Sequence, residues 1–437
     1  MNQILKQAWH QAKTNPVYTS LYVIGVTLTV MFIMIIGIVL YIRIAPVYPE
    51  VNRGNTLYIS SQMLRCGGSA YISNTEKGFF DEFYSRLENV KHVAYTETQI
   101  EETVRNQSGD KEFKANVITS SEGFWKIYDF DLLAGTLLPK ESYETEKPGQ
   151  VIIAGNLADR MFGSPEDAIG KTIKLKDEEL SVVGVVRSAS YLTRQSYADI
   201  YCPLGKYTGE SSSTFFSRVL GGGTVTLLTD GKEQSEALTK EVNEKIQRYN
   251  ASGKFKDGED KWELSIYDQP TPHWKLALIN DPSEGKSVSS IVWLFVIIIL
   301  ALLVVPAINL SGLIGGRMDI RLSELGIRKS YGATKWSLLR QVLFENFLLT
   351  SVGAILGIIG AWIMTVTCRR WIFSIFEGRP SSVPSWAEVS VNSDMLFAPT
   401  LFLVLLVLCF IVNLLSAFVP AWLYMRKPIV SALYEKR

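Results

Sequence analysis

The chain has 437 residues, of which 47% are hydrophobic and 20% charged, and its mean hydropathy is +0.13. This composition is too apolar for an ordinary soluble protein of such length. The formal net charge of +1 provides no global field that would attract nucleic acid, so no nucleic-acid partner is expected.

Four long windows of the chain carry no charged residue: 14–42, 287–316, 346–368 and 395–425. Since about 20 helical residues cross the hydrocarbon core of a bilayer, each window is long enough to span it. Core helices of a large soluble protein are the alternative, but these rarely stay free of charge over such lengths. We predict an α-helical membrane protein with four transmembrane helices, at 17–43, 287–316, 341–368 and 395–425. The first exceeds the core of a signal peptide and no small-residue cleavage pattern follows it, so we expect it to remain as an anchor.

Lysine and arginine are concentrated next to two of these predicted helices. The segment 317–340 and the tail 426–437 are both rich in them, whereas the loop 369–394 balances basic against acidic residues. Because positive residues stay on the cytoplasmic side, both segments and the short amino-terminal segment 1–16 are predicted to be cytoplasmic. A multi-pass protein of the cell inner or plasma membrane follows, with both termini inside and a large domain, 45–285, outside.

The outside domain is predicted to be α/β, with two subdomains. Its first helix is indicated by the helical spacing of Phe80, Phe83, Tyr84 and Leu87. Further on, the pattern predicts strands at 151–154, 180–186 and 199–201, and a short helix at 156–162. The polar segments 108–111 and 140–148 are predicted to be exposed loops, with Ser142 as an accessible position.

The end of this domain predicts a strand, a helix and a strand, at 224–229, 232–249 and 262–267. We expect the two strands to lie in one sheet, parallel to each other because such crossovers are right-handed, either paired directly or with one strand between them. The proline-containing segment 268–285 is predicted to be the tether to the second membrane helix.

The predicted topology places two of the four cysteines in the membrane and two in the outside domain. Cys368 and Cys409 lie in membrane windows and are interpreted as small apolar residues. Cys66 and Cys202 share the outside domain, where they could form a disulfide in an oxidising compartment or remain free buried thiols.

No catalytic pattern is found in the sequence. Gly285-Lys286-Ser287 resembles the end of a phosphate loop, but Asn280 stands where that loop needs its first glycine. The three histidines are far apart without an H-E-x-x-H helix, and no G-x-S-x-G elbow occurs. The glycines 221–223 precede a strand, not a helix that could hold phosphate, and are interpreted as a turn. We therefore predict that the chain is not an enzyme and binds no metal or cofactor.

The cytoplasmic segment 317–349 predicts a corner between two helices. Met318–Tyr331 suits a short helix, Gly332 suits its left-handed terminating position, and Thr334 suits the N-cap of the helix that enters the third span. Basic residues crowd this turn: Arg328, Lys329 and Lys335. A solvated loop with snorkelling arginines would carry the same charge, but the spacing indicates a rigid basic corner.

The same segment resembles the signature loop of the MacB/FtsX permeases of ABC transporters. That loop has an acidic residue, then G-I-R-[KR], a variable pair and G-A; here it consists of Glu324, Gly326, Ile327, Arg328, Lys329, Gly332 and Ala333. The stretches VIIAGNLADRMFG, AIGKTIKL, SVVGVV and IYCPL resemble the MacB-type periplasmic core, and VPAWLYMRKPIVSALYEKR resembles the family's ending. Ser330 and Tyr331 depart from the usual small and aliphatic pair. No counterpart of the amino-terminal ATPase domain of MacB is recognised in this sequence, so the ATPase is expected to be another polypeptide.

The resemblance implies a permease that works as a lever. Two permeases, identical or paralogous, dimerise in the lipid bilayer, and a separate cytoplasmic ATPase, which binds ATP and Mg²⁺, grips the helix between the second and third spans. The implied coupling residues are Glu324, Gly326, Arg328, Lys329, Gly332 and Ala333. The windows themselves favour a lever over a channel, because none has an ionisable group at mid-span.

Small residues in the second and third windows permit close helix approach: Gly312, Gly316, Gly353 and Gly357. Packing within the chain is preferred to a dimer seam.

Three functions stay open at this point. The first is a transporter subunit for export or extraction of a peptide, lipoprotein or drug, with a periplasmic adaptor and outer-membrane duct as further partners. The second is an FtsX-like module that activates a cell-wall hydrolase, although the outside domains of that type are much smaller. The third is a membrane-anchored ligand sensor, although no cytoplasmic output domain is recognised.

Overall fold

A computed structural model describes residues 13, 16–107, 109, 111–145, 149–176, 178–205, 216–253, 256–257, 260–279, 287–320, 327–376, 387, 389–391, 393–396 and 399–426. The chain divides into two compact units. The helical unit comprises Met1–Tyr41, Val292–Pro380 and Met395–Arg437, and the α/β unit comprises Ile42–Ile291 and Ser381–Asp394.

The described helices, in chain order, are α1 (Pro16–Ile44), α2 (Lys77–Phe79), α3 (Phe124–Ile127), α4 (Glu141–Glu144), α5 (Gly155–Phe162), α6 (Pro165–Ala168), α7 (Lys232–Ala251), α8 (His273–Ile279), α9 (Val288–Ile320), α10 (327–330), α11 (Lys335–Thr367), α12 (Arg369–Phe376), α13 (Ser393–Leu396) and α14 (Pro399–Arg426). Single 3-10 turns occur at Arg53–Asn55 and Phe216–Arg218, and a π-helical turn at Phe80–Tyr84.

Three of these helices, α1, α11 and α14, are long and apolar enough to cross a membrane. Helix α9 is 33 residues long, and the apolar part recognised in it is the shorter stretch Val288–Val304. Three of the four predicted spans thus coincide with helices of sufficient length and apolarity, and the fourth stays a prediction. Helix α11 begins six residues before the predicted third span, because Thr334 caps it there.

The α/β unit contains sixteen described strands: β1 (Thr56–Ile59), β2 (Gln62–Cys66), β3 (Ser69–Thr75), β4 (His92–Asn106), β5 (Glu112–Ser120), β6 (Leu132–Gly135), β7 (Gln150–Ala154), β8 (Thr172–Leu175), β9 (Glu178–Val186), β10 (Ile200–Pro203), β11 (Leu220–Gly221), β12 (Thr224–Leu228), β13 (Lys256–Asp257), β14 (Asp260–Lys261), β15 (Glu263–Ser265) and β16 (Thr271–Pro272). The strands predicted at 151–154, 180–186 and 199–201 are β7, β9 and β10, and the short helix between the first two is α5.

The strands form a mixed ten-stranded sheet in the order β16-β1-β12-β4-β5-β10-β7-β9-β6, with β8 paired to β4 and β9. The β5–β10 and β7–β9 pairs are parallel. A second sheet has the order β11-β3-β2-β15, and β13 and β14 form a hairpin. The α/β fold predicted for this domain is thus present.

The predicted pairing between the strands on either side of α7 is wrong. Strand β12 has β1 on one side and β4 on the other, so both of its edges are occupied. Strand β15 instead pairs antiparallel with β2, in the four-stranded sheet. Helix α7 therefore connects two sheets, and its apolar face, Leu238, Val242 and Ile246, is buried in the core beside them.

The structure describes parts of three further predicted segments. Ser142 lies in α4 with only 7% of its surface exposed, and its hydroxyl donates to Gln150 Oε1 at 2.9 Å, so it is not the accessible position expected. In the segment predicted to be the tether, Thr271–Pro272 form β16 and His273–Ile279 form α8. The predicted turn at 221–223 is part of a sheet edge, where a Cβ on Gly223 would stand 2.0 Å from the ring carbon Cζ of Tyr95.

The cysteines of the α/β unit are free thiols. Cys66 ends β2 and Cys202 lies in β10, so the two belong to different sheets, and the disulfide left open by the sequence is not formed. Burial raises the pKa of the Cys202 thiol to about 12, which keeps it unreactive at neutral pH.

Candidate functional site at the helical corner

The corner begins with a helical turn at 327–330 that ends in a Schellman motif. The N–H of Ala333 donates to the carbonyl of Arg328 at 3.0 Å, and the N–H of Gly332 donates to that of Lys329 at 3.2 Å. Gly332 has φ = +91°, a left-handed conformation that side-chain-bearing residues rarely adopt. This is the terminating geometry predicted for Gly332.

The second helix of the corner, α11, starts directly after this motif. Thr334 has extended backbone, and its hydroxyl accepts from the N–H of Ser337 at 3.2 Å. This is the predicted N-cap, which satisfies one of the free N–H groups at the helix start. Because a C-cap and an N-cap occur within three residues, the corner has a defined shape.

Aromatic and basic side chains are displayed at this corner. Tyr331 is 88% exposed and Trp336 is 67% exposed. Lys335 and Arg340 are also exposed, and burial together with the charge of Lys335 lowers the pKa of Lys329. An exposed surface with aromatic rings among positive charges is suited to binding a protein partner.

A chain of polar contacts leads from the corner into α11. Arg328 Nη1 donates to Gln341 Oε1 at 3.0 Å, and Gln341 Nε2 donates to Glu345 Oε1 at 3.3 Å. Glu345 is only 2% exposed. Sequence reasoning missed Gln341; its signal was the four-residue spacing to Glu345, which places both on one face of a helix.

Two of the predicted coupling residues, Glu324 and Gly326, lie outside the described residues. The predicted proximity of Glu324 to Arg328 therefore stays a prediction. The structure brings together the other four, Arg328, Lys329, Gly332 and Ala333, in the Schellman motif.

The third-window glycines lie at a contact between α11 and α1. A Cβ on Gly353 would stand 2.9 Å from Val26 Cβ, and one on Gly357 would stand 2.8 Å from the carbonyl oxygen of Thr27. Beside them the hydroxyls of Tyr22 and Thr350 are 2.9 Å apart. The small residues here serve packing within the chain, which is the interpretation preferred from the sequence.

The glycines of α9 have a different environment. Apart from atoms of α9 itself, no heavy atom in the described part of the chain lies within 4 Å of a Cβ placed on Gly312 or Gly316.

Among the described residues, no group of three or more His, Cys, Asp or Glu could hold a metal ion.

The fold and the corner define a chain with long apolar helices and a large α/β unit that lies between α1 and α9 in sequence. The family model of the MacB-like periplasmic core domain matches residues 19–245, about half of the chain, and that of the FtsX-like permease C-terminal domain matches 293–429. The chain therefore belongs to the MacB/FtsX family of ABC transporter permeases.

Relatives with curated descriptions agree with this assignment. An uncharacterized ABC transporter permease, YknZ of Bacillus subtilis, is 19% identical over 288 residues, which cover 65% of each chain. The macrolide export ATP-binding/permease protein MacB of Vibrio parahaemolyticus is 22% identical over 340 residues, which cover 75% of this chain and 48% of that protein. The chain thus spans between about half and two thirds of the length of these relatives.

Solved structures of extracytoplasmic domains are also similar. The extracellular domain of YknZ from Gram-positive bacteria aligns over 47% of this chain and all of that domain, at 15% identity and a TM-score of 0.32. The periplasmic region of MacB from Actinobacillus actinomycetemcomitans aligns over 47% of this chain and 88% of that region, at 16% identity and a TM-score of 0.31.

Proposed function

We propose that this chain is the permease subunit of an ABC transporter whose ATPase is a separate cytoplasmic polypeptide. The ATPase, with its ATP and Mg²⁺, binds the corner formed by 327–337, and its nucleotide-driven closure is transmitted to the α/β unit on the far side of the membrane. The work performed is export or extraction of a peptide, lipoprotein or drug.

The observation that carries this proposal is the rigid, exposed corner. A loop that served only as an orientation signal would need positive charge alone, whereas here Tyr331 and Trp336 are displayed on a capped backbone. Tyrosine, tryptophan and arginine dominate the binding energy of protein interfaces. A preorganised backbone also lowers the entropic cost of binding.

Helix α11 supports the transmission step. Its 33 residues form one continuous helix, about 50 Å long at 1.5 Å per residue, which exceeds the thickness of a bilayer. The contacts from Arg328 through Gln341 to buried Glu345 join the corner to this helix. Movement of the corner would thus displace the whole helix and α1, which packs against it at Gly353.

A second copy or a paralogue completes the assembly. The surroundings of Gly312 and Gly316 leave space for close approach of another helix, and such spacing of small residues suits a helix interface in lipid. The distribution of lysine and arginine supports a cytoplasmic position for both termini. The relatives named for macrolide export favour export over the signalling and sensor alternatives.

The test is co-purification with a candidate ATPase and measurement of ATP hydrolysis in the complex. Arg328→Glu is expected to weaken ATPase binding at least about tenfold, which corresponds to about 1.4 kcal/mol. Arg369→Glu is the matched control, because Arg369 is exposed at the start of α12, in the segment predicted to lie outside. Unchanged ATPase binding and activity in Arg328→Glu would show that the segment is only an orientation signal.

A further inference from the structure

A buried ion pair lies just after α1, inside the α/β unit. Arg53 Nε donates to Glu50 Oε2 at 2.7 Å, and the two side chains are 2% and 1% exposed. This pair differs from the other ion pairs described in the α/β unit, each of which has at least one partner more than 15% exposed.

Each partner of the pair also binds a different segment. Arg53 Nη1 donates to the carbonyl oxygens of Ile42, in the last turn of α1, at 2.6 Å and of Ala45, directly after α1, at 2.8 Å. These carbonyls have no acceptor role within the helix, and a cation is favourable at a helix C-terminus. Glu50 Oε1 accepts from the N–H groups of Gln195 and Ser196, both at 3.1 Å, and from the Ser196 hydroxyl at 2.8 Å.

The segments that lead to the other long helices join the same region. His273 of α8, which precedes α9, has Nε2 at 3.0 Å from the carbonyl oxygen of Arg43 and donates to it. In the loop that Glu50 binds, the Ser190 hydroxyl donates to the carbonyl oxygen of Ser390 at 2.5 Å, and Ala387 is buried against Tyr197. Residues 387–390 lie between α11 and α14 in sequence.

Stability alone does not account for this arrangement. A buried ion pair is on average no more stabilising than well-packed apolar residues of similar volume, because both charges lose their hydration. Its distinctive property is that its contacts are directional hydrogen bonds: apart from the ion pair itself, each contact of Glu50 and Arg53 described above is made to a main-chain or hydroxyl group. Such contacts move together as a unit, whereas apolar side chains can slide and repack.

We propose that Glu50 and Arg53 are positioning residues that form the mechanical joint through which the ends of the membrane helices move the α/β unit. We call this pair, with Ile42, Ala45, Gln195 and Ser196, the Glu50–Arg53 joint. The inference rests on the proposed function. It adds two residues that take part in that function and lie far from the corner in sequence. The joint holds the end of α1 on one side and the loop 190–197 on the other.

The test uses the full chain in complex with its ATPase and measures motion directly. Spin labels at Lys240→Cys in the α/β unit and Trp293→Cys in α9, in a background without native cysteines, report a distance by pulsed electron spin resonance. Both positions are exposed. The distance is compared without nucleotide and after trapping with ATP and vanadate.

The decisive variant is Glu50→Leu with Arg53→Met, which removes both charges and leaves neither buried alone. Its unfolding temperature is expected to stay within about 4 °C of wild type and its ATPase binding to stay unchanged, while most of the nucleotide-dependent distance change is lost. Arg105→Met with Glu112→Leu removes an exposed pair, 53% exposed on each side, and is expected to leave the distance change intact.

The possible outcomes separate the two hypotheses. If the double variant shows the full wild-type distance change, the Glu50–Arg53 joint is wrong and the proposed function is unaffected. If wild type itself shows no nucleotide-dependent change, the proposed function is wrong and the joint with it. Should the double variant not fold, Ser196→Ala removes a single 2.8 Å hydrogen bond to Glu50 and is expected to reduce the distance change; an unchanged distance change would overturn the joint.

Discussion

Gly353 of α11 lies directly against Val26 of α1: a Cβ on Gly353 would be 2.9 Å from both Cβ and Cγ1 of Val26. Real Cβ atoms are essentially never found this close to another carbon, so any larger residue at 353 must push the two helices apart. The contact is reinforced by the Thr27 hydroxyl, which donates to the Gly353 carbonyl at 3.2 Å. We infer that the α1–α11 spacing is set by the absence of a side chain at this position.

Gly353→Leu is therefore expected to destabilise the helical unit by about 1 to 3 kcal/mol through overpacking. The measurement is thermal unfolding of the purified chain in detergent. Gly312→Leu is the control, because a Cβ at Gly312 meets open space in the described part of the chain. Equal destabilisation by the two changes would contradict the packing assignment, and loss of dimer in Gly312→Leu alone would place the partner helix at α9.

Gly332→Val is expected to weaken ATPase binding through the backbone alone. No described heavy atom beyond its chain neighbours lies within 4 Å of a Cβ at this position, so the cost comes from φ = +91° and amounts to about 1 to 2 kcal/mol or more. Gly332→Asn should recover much of the binding, since asparagine tolerates the left-handed region. If Gly332→Asn binds the ATPase as weakly as Gly332→Val, the defect comes from the presence of any side chain at 332 and not from the backbone conformation.

His273 is expected to make the α/β unit sensitive to mild acid. Burial lowers its pKa to about 4; the charge of Glu50 opposes this shift and that of Arg53 adds to it. In the unfolded chain the pKa is about 6.5, so between these values only the unfolded state binds the proton. Stability is thus fully present above pH 6.5 and decreases as pH falls towards 4, by roughly 3 kcal/mol for the whole interval.

Unfolding temperatures of the full chain between pH 7.5 and 5 measure this effect, and His273→Gln should flatten the dependence. Glu50 does not interfere: burial raises its pKa, but the charges of Arg53 and His273 and the hydrogen bonds from Arg53 and Ser196 outweigh burial and hold the pKa below the ordinary value. Its contribution is therefore lost only at lower pH. His92→Gln is the control: because His92 is partly exposed, this substitution should leave most of the pH dependence in place. Unfolding temperatures of the wild type that do not change with pH would contradict the argument from the burial of His273.

The topology predicts that a probe in the α/β unit is reached from outside the cell and one at the corner is not. Glu144→Cys replaces the position first expected at Ser142, since Glu144 is exposed in the same helix and Ser142 is buried. In a background without native cysteines, an impermeant thiol reagent should label Glu144→Cys in intact cells and label Lys335→Cys only after lysis. Labelling of Lys335→Cys in intact cells, with Glu144→Cys labelled only after lysis, would show that the orientation is the opposite of the predicted one.

The sequence contained the local features of the fold. Helix α7 is recognisable because its burial follows the helical period, and Gly332 is recognisable because glycine adopts its left-handed backbone most readily. The partner of β15 was not predictable in this way. It depends on β1 and β4 occupying both edges of β12, which are pairings between segments far apart in the chain.

In the candidate site, too, local features were predictable from the sequence and contacts between separate segments were not. Arg328, Lys329 and Gly332 belong to one contiguous motif and were predicted together. Gln341 was missed because its contact with Arg328 crosses the turn and depends on the angle between two helices. The Glu50–Arg53 pair has helical spacing, but its contact with Ser196 joins residues that are 146 positions apart.

The contrast in burial between the corner and the Glu50–Arg53 joint has a practical consequence for biochemistry. The Debye length is about 8 Å at physiological ionic strength and about 3 Å at 1 M salt, so exposed charges such as Lys335 are screened. The Glu50–Arg53 pair, at 1% and 2% exposure, is shielded from the added ions. Washing membranes in concentrated salt should therefore release the ATPase while leaving the permease intact, and dialysis to low salt should restore the complex.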